Sequence, residues 1–92
     1  MGIQSEDKLI RIQDLLSTEL DQETVLMSID AGAYYGLGGV AQSIWRLLAE
    51  PLTFAELIAR LVEQYQVSPE SCAVDVKRFL LKLQAEGLLR VE

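Results

Sequence analysis

The chain has no histidine and a single cysteine among its 92 residues. Those two scarcities remove the usual zinc ligand sets, which draw on several thiolates and imidazoles. Cys72 has no partner for an internal disulfide. The missing histidine also removes the customary base for a serine or cysteine nucleophile. Basic residues are few, 8 Lys and Arg against 14 Asp and Glu, for a net charge of −6. A nucleic-acid surface is normally basic, because phosphate contacts supply much of the affinity. This balance points away from nucleic acid and suits a basic or neutral peptide. No apolar run approaches the ~20 residues that a bilayer span needs. Met1 to Lys8 is mostly polar and slightly acidic, unlike a signal peptide. The expectation is a cytoplasmic protein without membrane contact, metal or cofactor. Gly36, Gly38 and Gly39 are not followed by the Lys-Ser or Lys-Thr of a phosphate loop.

What is present is apolar residues, at 50% of the chain, enough for one modest core. Residues 1–8 read as a loose tail and 9–92 as a single domain. Ile10 and Ile12 alternate with polar residues, as in a short extended piece. Leu16, Thr18 and Leu20 share one parity, so 15–20 reads as a strand. Asp21-Gln22 makes the turn. Over 24–30, Val25, Met27 and Ile29 lie on one face of a half-buried strand. Asp30-Ala31-Gly32 closes a second turn, and Tyr34, Tyr35 and Leu37 form a third strand. The result is a three-stranded antiparallel meander. Tyr34 and Tyr35 must point to opposite faces, so one of them is turned away from the core.

Three helices follow. Ala41, Ile44, Trp45 and Leu48 fall at i, i+3, i+4 and i+7, which places a helix over about 40–49, ended near Pro51. Thr53 and Glu56 have the spacing of a capping box at the start of the second helix. Its apolar face is Phe54, Leu57, Ile58, Leu61 and Val62, and Gln64-Tyr65-Gln66 ends it. Ser68 at the N-cap and Pro69 at the first helical position open the third. Cys72, Val76, Phe79, Leu80 and Leu83 make its core stripe. Gly87 ends it in a left-handed turn, and Leu88, Leu89 and Val91 return to the core.

No catalytic constellation appears. Cys72 on the core stripe reads as a small apolar residue. The third helix carries a second face of Val74, Lys77, Arg78, Leu81, Lys82 and Ala85. Its plain reading is a solvated surface with cations suited to the helix dipole. Its functional reading is a groove lined by Val74 and Leu81, edged by Lys77, Arg78 and Lys82, for an amphipathic peptide with acidic positions. Two other readings stand beside this. Helices two and three could form a helix-turn-helix of a DNA-binding winged helix, with Lys77, Arg78 and Lys82 toward phosphate. Against it, Glu70 and Asp75 occupy the part of helix three where base-reading residues normally lie. The free edge of the third strand could instead pair two copies as a homodimer.

The succession of Val25 to Asp30, Ala31 to Leu37, Ile44-Trp45, Leu57, Leu61, Tyr65 to Val67, Asp75 to Leu80 and Gly87 to Leu89 resembles the PqqD-like family. Its members are recognition elements for ribosomally made, post-translationally modified peptides. The resemblance covers roughly residues 15–91. It implies an α+β, winged-helix-like fold, a three-stranded antiparallel sheet followed by three helices. It also implies a non-catalytic role. The leader of a precursor peptide would add as a strand beside Ala33, Tyr34, Tyr35, Gly36 and Leu37, with its side chains between that strand and helix three. The domain would deliver the precursor to a leader peptidase or other modifying enzyme. The family often has Leu-Asn where this chain has Leu37-Gly38. The length, the Tyr34 to Leu37 strand and Cys72 before Asp75 are most similar to the split-B proteins of lasso peptide pathways. There the partners are a cysteine-protease leader peptidase and an ATP-using cyclase.

Overall fold

The computed structural model describes residues 2–12, 15–28 and 32–92. Gln13, Ile29, Asp30 and Ala31, to which the sequence assigned parts of an extended piece, a strand and a turn, lie outside those residues. The chain order is β1 (Lys8–Arg11), β2 (Leu15–Leu20), β3 (Glu23–Ser28), β4 (Ala33–Gly38), α1 (Val40–Leu47), β5 (Leu52–Thr53), α2 (Phe54–Tyr65), α3 (Pro69–Ala85) and β6 (Leu89–Val91). The expected α+β meander followed by three helices is present, and a second small sheet is added to it.

Strands β2, β3 and β4 pair antiparallel in that order. Leu16 stands opposite Met27, and Met27 opposite Tyr34. Asp21 takes a positive φ of 38° at the tight turn between β2 and β3, a conformation its short polar side chain tolerates. The buried face of β3 is Thr24 and Leu26, not the Val25 and Met27 face that the alternation favoured. Both parities of this strand carry apolar residues, so the pattern does not choose between them. The choice is made by α1, which lies against the inner face. There Gln42 meets the Thr24 hydroxyl at 3.1 Å. With its amide turned so that nitrogen donates to the Gln22 carbonyl, its oxygen accepts from both Thr24 and Arg46. A buried threonine and a buried glutamine thus satisfy each other. Arg46 also pairs with Glu19 of β2, tying α1 to the edge of the meander.

The second sheet has the order β5-β1-β6. Its central residue, Leu9, is fully buried and stands between Leu52 and Val91. Within the segment expected to be a loose tail, Ile3 packs into the core at 3% exposure and Lys8 opens β1. The physical reason lies in α2. Its first amides have no intrahelical acceptor, and the Asp7 and Ser5 carbonyls accept from Phe54 and Ala55 at 2.9 and 3.0 Å.

The helices start where the sequence puts them. Thr53 accepts from the Glu56 amide at 3.2 Å, and Glu56 accepts from the Thr53 amide at 2.8 Å, closing the capping box. α1 stops at Leu47, two residues short of expectation. Pro69 opens α3, but the Ser68 hydroxyl bonds to Glu70 rather than to a free amide. At the other end Gly87 has φ 78°. The Gly87 amide donates to Gln84 and the Leu88 amide to Leu83, at 3.1 and 2.9 Å. That pair of bonds is a Schellman motif, and it turns Leu88 and Leu89 into the core. Cys72, Val76, Leu80 and Leu83 are buried on α3, whereas Phe79 is half-buried at the margin of the stripe. Trp45 is buried beneath Arg11, whose guanidinium lies 4.9 Å from the ring centroid and donates to the Trp45 carbonyl.

Candidate functional site

Strand β4 has a partner on one side only. β3 takes one edge, and the other edge is free among the described residues. A free edge carries unpaired backbone donors and acceptors in a row. Helix α3 runs beside it in the opposite direction. The Tyr35 hydroxyl donates to the Glu86 carboxylate at 2.9 Å near the C-terminal end of α3. About two to three turns earlier, Asp75, Val76 and Phe79 line a depression of about 210 Å³ with Val40, Ala41 and Ile44. Val40 begins α1 just after β4 ends, with Gly39 between. The end of β4 therefore leads to a cleft between α1 and α3 whose far wall is one flank of α3.

That flank consists of Asp75, Phe79, Lys82 and Glu86, spaced at i, i+4, i+7 and i+11. The cleft extends past Asp75 into a deeper apolar depression of about 360 Å³, where Leu61, Tyr65, Val67 and Cys72 meet Val40 and Val76. Tyr65 is held in place by a 2.6 Å hydrogen bond to the Ser43 hydroxyl of α1. Burial first, and then the nearby Asp75 carboxylate, push the Cys72 thiol above its ordinary pKa, so it stays protonated and apolar here. The bond to Glu86 raises the Tyr35 phenol in the same way. The cleft is thus apolar at its floor, with the Asp75 carboxylate on its wall.

The residues singled out from the sequence divide between two places. Ala33, Tyr34, Tyr35, Gly36 and Leu37 belong to the strand with the free edge, and Lys82 shares the helical row of Asp75, Phe79 and Glu86. Val74, Lys77, Arg78 and Leu81 surround a separate depression of about 340 Å³ with Ala73. It lies on the other flank of α3, where Lys77 sits 5.6 Å from the Phe54 ring of α2. The structure does not bring these four residues to β4. The residues that reach the cleft instead are Val40, Asp75 and Phe79. The sequence pattern places Phe79 with the core because it shares the spacing of the apolar stripe. The signal that separates it is its company: the same helical row continues through Asp75, Lys82 and Glu86, none of which belongs in a core.

Tyr34 is the outward tyrosine, at 71% exposure. It completes a row with Met27 and Leu16 across the outer face of the meander. Leu16 and Leu20 on that face are 55% and 56% exposed. Gly36 lets the Glu23 side chain lie flat against the strand, since a Cβ there would stand 3.1 Å from the carboxylate.

Among the described residues no group of three His, Cys, Asp or Glu side chains is placed to hold a metal ion. No described helix is long and apolar enough to cross a membrane. A comparison with curated proteins finds no match. Among solved structures, the chain is similar to one described as TbiB1 in complex with the TbiA(beta) leader peptide. The two are 30% identical, with a TM-score of 0.82, over 88% of this chain and 94% of that one. Residues 23–89 match the family described as coenzyme PQQ synthesis protein D, a span that holds the meander from β3, all three helices and both walls of the cleft. With the fold, the free edge and this match in agreement, the chain belongs to the PqqD family.

Proposed function

We propose that this protein binds the leader segment of a ribosomally made precursor peptide as a fourth strand on β4. The observation that carries this is the free β4 edge, placed beside an apolar cleft walled by Phe79 and Val40. Backbone pairing supplies sequence-independent affinity, and the cleft selects among side chains. A leader that is disordered when free loses entropy on docking, so the edge alone would bind weakly. The apolar floor offsets that loss. The similarity to TbiB1, whose structure contains a leader peptide, supports the same reading. The protein does no chemistry itself in this reading. It presents the precursor to a separate leader peptidase or modifying enzyme, with a lasso peptide pathway favoured.

Delivery needs a second surface, one that the leader leaves open. The outer face of the meander is suited to it, because Leu16, Leu20 and Tyr34 are exposed there. A leader strand added to β4 would extend the row of Leu16, Met27 and Tyr34 by one side chain. The partner enzyme would then read protein and leader together. Tethering raises the local precursor concentration to the order of mM for a short link.

Hydrogen exchange tests the edge, with the leader of a precursor gene adjoining this one as the probe. Amides within 33–37 should slow when that peptide is bound. Unchanged exchange there in a demonstrably bound complex would place the peptide elsewhere. For the delivery step, Leu16→Glu should leave leader affinity intact while the partner loses its stimulation on leader-bearing substrate. Equal stimulation by the variant would remove the outer face from the proposal.

A further inference from the structure

One open apolar surface is used neither by the β4 cleft nor by the outer sheet face. It lies across the outer side of the α2 and α3 pair. α2 turns Ala55, Ile58, Ala59 and Val62 toward a depression of about 540 Å³, which Ala73 of α3 helps to line. These α2 positions fall at i, i+3, i+4 and i+7, while Leu57 and Leu61 face the core. Ala73 also borders the 340 Å³ depression floored by Val74 and Leu81. The two depressions thus lie side by side with Ala73 as their common border, and a helix laid from α2 to the outer flank of α3 would cover both. Its small walls, Ala55, Ala59 and Ala73, allow the backbone of a third helix to come near. Val74 is 59% exposed at its far end.

The charge at that end is the second observation. In a chain of net charge −6, Lys77 and Arg78 stand together at the rim. The ion pairs among the described residues are Glu19 with Arg46 and Glu92 with Arg90, so neither rim cation has a carboxylate partner among those residues. Lys77 is held at the rim by its position over the Phe54 ring.

We propose that this groove docks an amphipathic helix of another protein, its apolar stripe seated on Ala59, Ala73 and Val74 and its acidic side chains over Lys77 and Arg78. Helix-in-groove docking reads i, i+3, i+4 and i+7 anchors, and this groove has the apolar width and the charged end for it. The site goes beyond leader binding, because the β4 cleft uses the opposite flank of α3. Both can be filled at once, with α3 as the shared wall.

The test uses the full chain with isotope-labelled amides. The probe is a synthetic amphipathic helix of about five turns, with leucines on one stripe and glutamates flanking it. Its control carries lysines in place of the glutamates. The acidic helix should shift the amides of residues 55–62 and 73–81 and bind roughly tenfold tighter than the control, with the difference shrinking in high salt. Ala59→Glu should weaken it without changing the thermal midpoint. Arg78→Glu, an exposed change with little reach into the fold, should reverse the preference between the two probes. Four results would each overturn the proposal: no binding, equal affinity for both helices, shifts confined to β4 or the outer sheet face, or self-association of the unliganded chain that Ala59→Glu abolishes.

Discussion

Phe79 and Leu80 are neighbours on one helix with opposite duties. Leu80 is fully buried and Phe79 is half-buried at the rim of the cleft. Truncating Leu80 to alanine should cost ~2–5 kcal/mol of stability, the range for an aliphatic side chain removed from a packed core. Phe79→Ala should cost less than the ~3–5 kcal/mol of a fully buried phenylalanine and should weaken leader binding instead. Denaturant unfolding and titration calorimetry on the two variants check this. A larger stability loss for Phe79→Ala than for Leu80→Ala would return Phe79 to the core. Single residues were also where the sequence misled. Periodicity groups Phe79 with Val76 and Leu83 because all are apolar, and it has no term for which one meets empty space. On β3, Val25 and Met27 look as suited to burial as Leu26 does. What decides is Gln42, eighteen residues away, which offers Thr24 the partner its hydroxyl needs. No local pattern carries that information.

Whole elements were more legible where their ends are marked by local chemistry. The capping box, Pro69 and Gly87 each satisfy or omit backbone groups within a few residues of sequence. The second sheet was hidden for the opposite reason. Its strands are two to four residues long, too short for a period to show, and β1 meets β6 across almost the whole chain. The capping box also makes a prediction about acid. Hydrogen bonds from Thr53, the backbone one foremost, hold the Glu56 carboxyl below its usual range. A depressed folded-state pKa contributes stability above the unfolded carboxylate range, and that contribution disappears as pH falls through the folded value. The start of α2 should therefore weaken on acidification, as pH falls below the ordinary carboxylate range. Glu56→Gln should flatten that part of the pH profile, measured by thermal midpoints across the range. Glu19 and Glu70 are depressed too, by Arg46 and by Ser68, so a slope should remain in the variant. An unchanged profile in Glu56→Gln would deny the box any part in acid stability.

At the scale of the molecule, the free β4 edge and its cleft occupy one flank of α3, and the α2–α3 groove occupies the other. The candidate site was legible as an edge, because glycines flank a short tyrosine-rich strand. Its far wall was not, because helix rotation relative to a sheet depends on tertiary packing rather than on spacing. The small sheet has a further consequence. The Lys8 amide donates to the Glu92 carbonyl at 2.7 Å, and the Glu92 amide returns the bond to Lys8 at 2.9 Å. The two ends of the fold are thereby stitched side by side, and the chain between them is a nearly closed ring. A circular permutant should be tolerated: residues 92 and 2 joined by a flexible Gly and Ser linker long enough to run back past Lys8, with new ends at the exposed Ala49–Glu50 turn. It should unfold cooperatively and keep its leader affinity within a few fold; loss of either would show that the stitch is less rigid than it looks. A ring of this kind behaves as a portable cassette. It can be spliced into a surface loop of a larger enzyme through flexible linkers, and the β4 edge, the cleft and the groove travel with it.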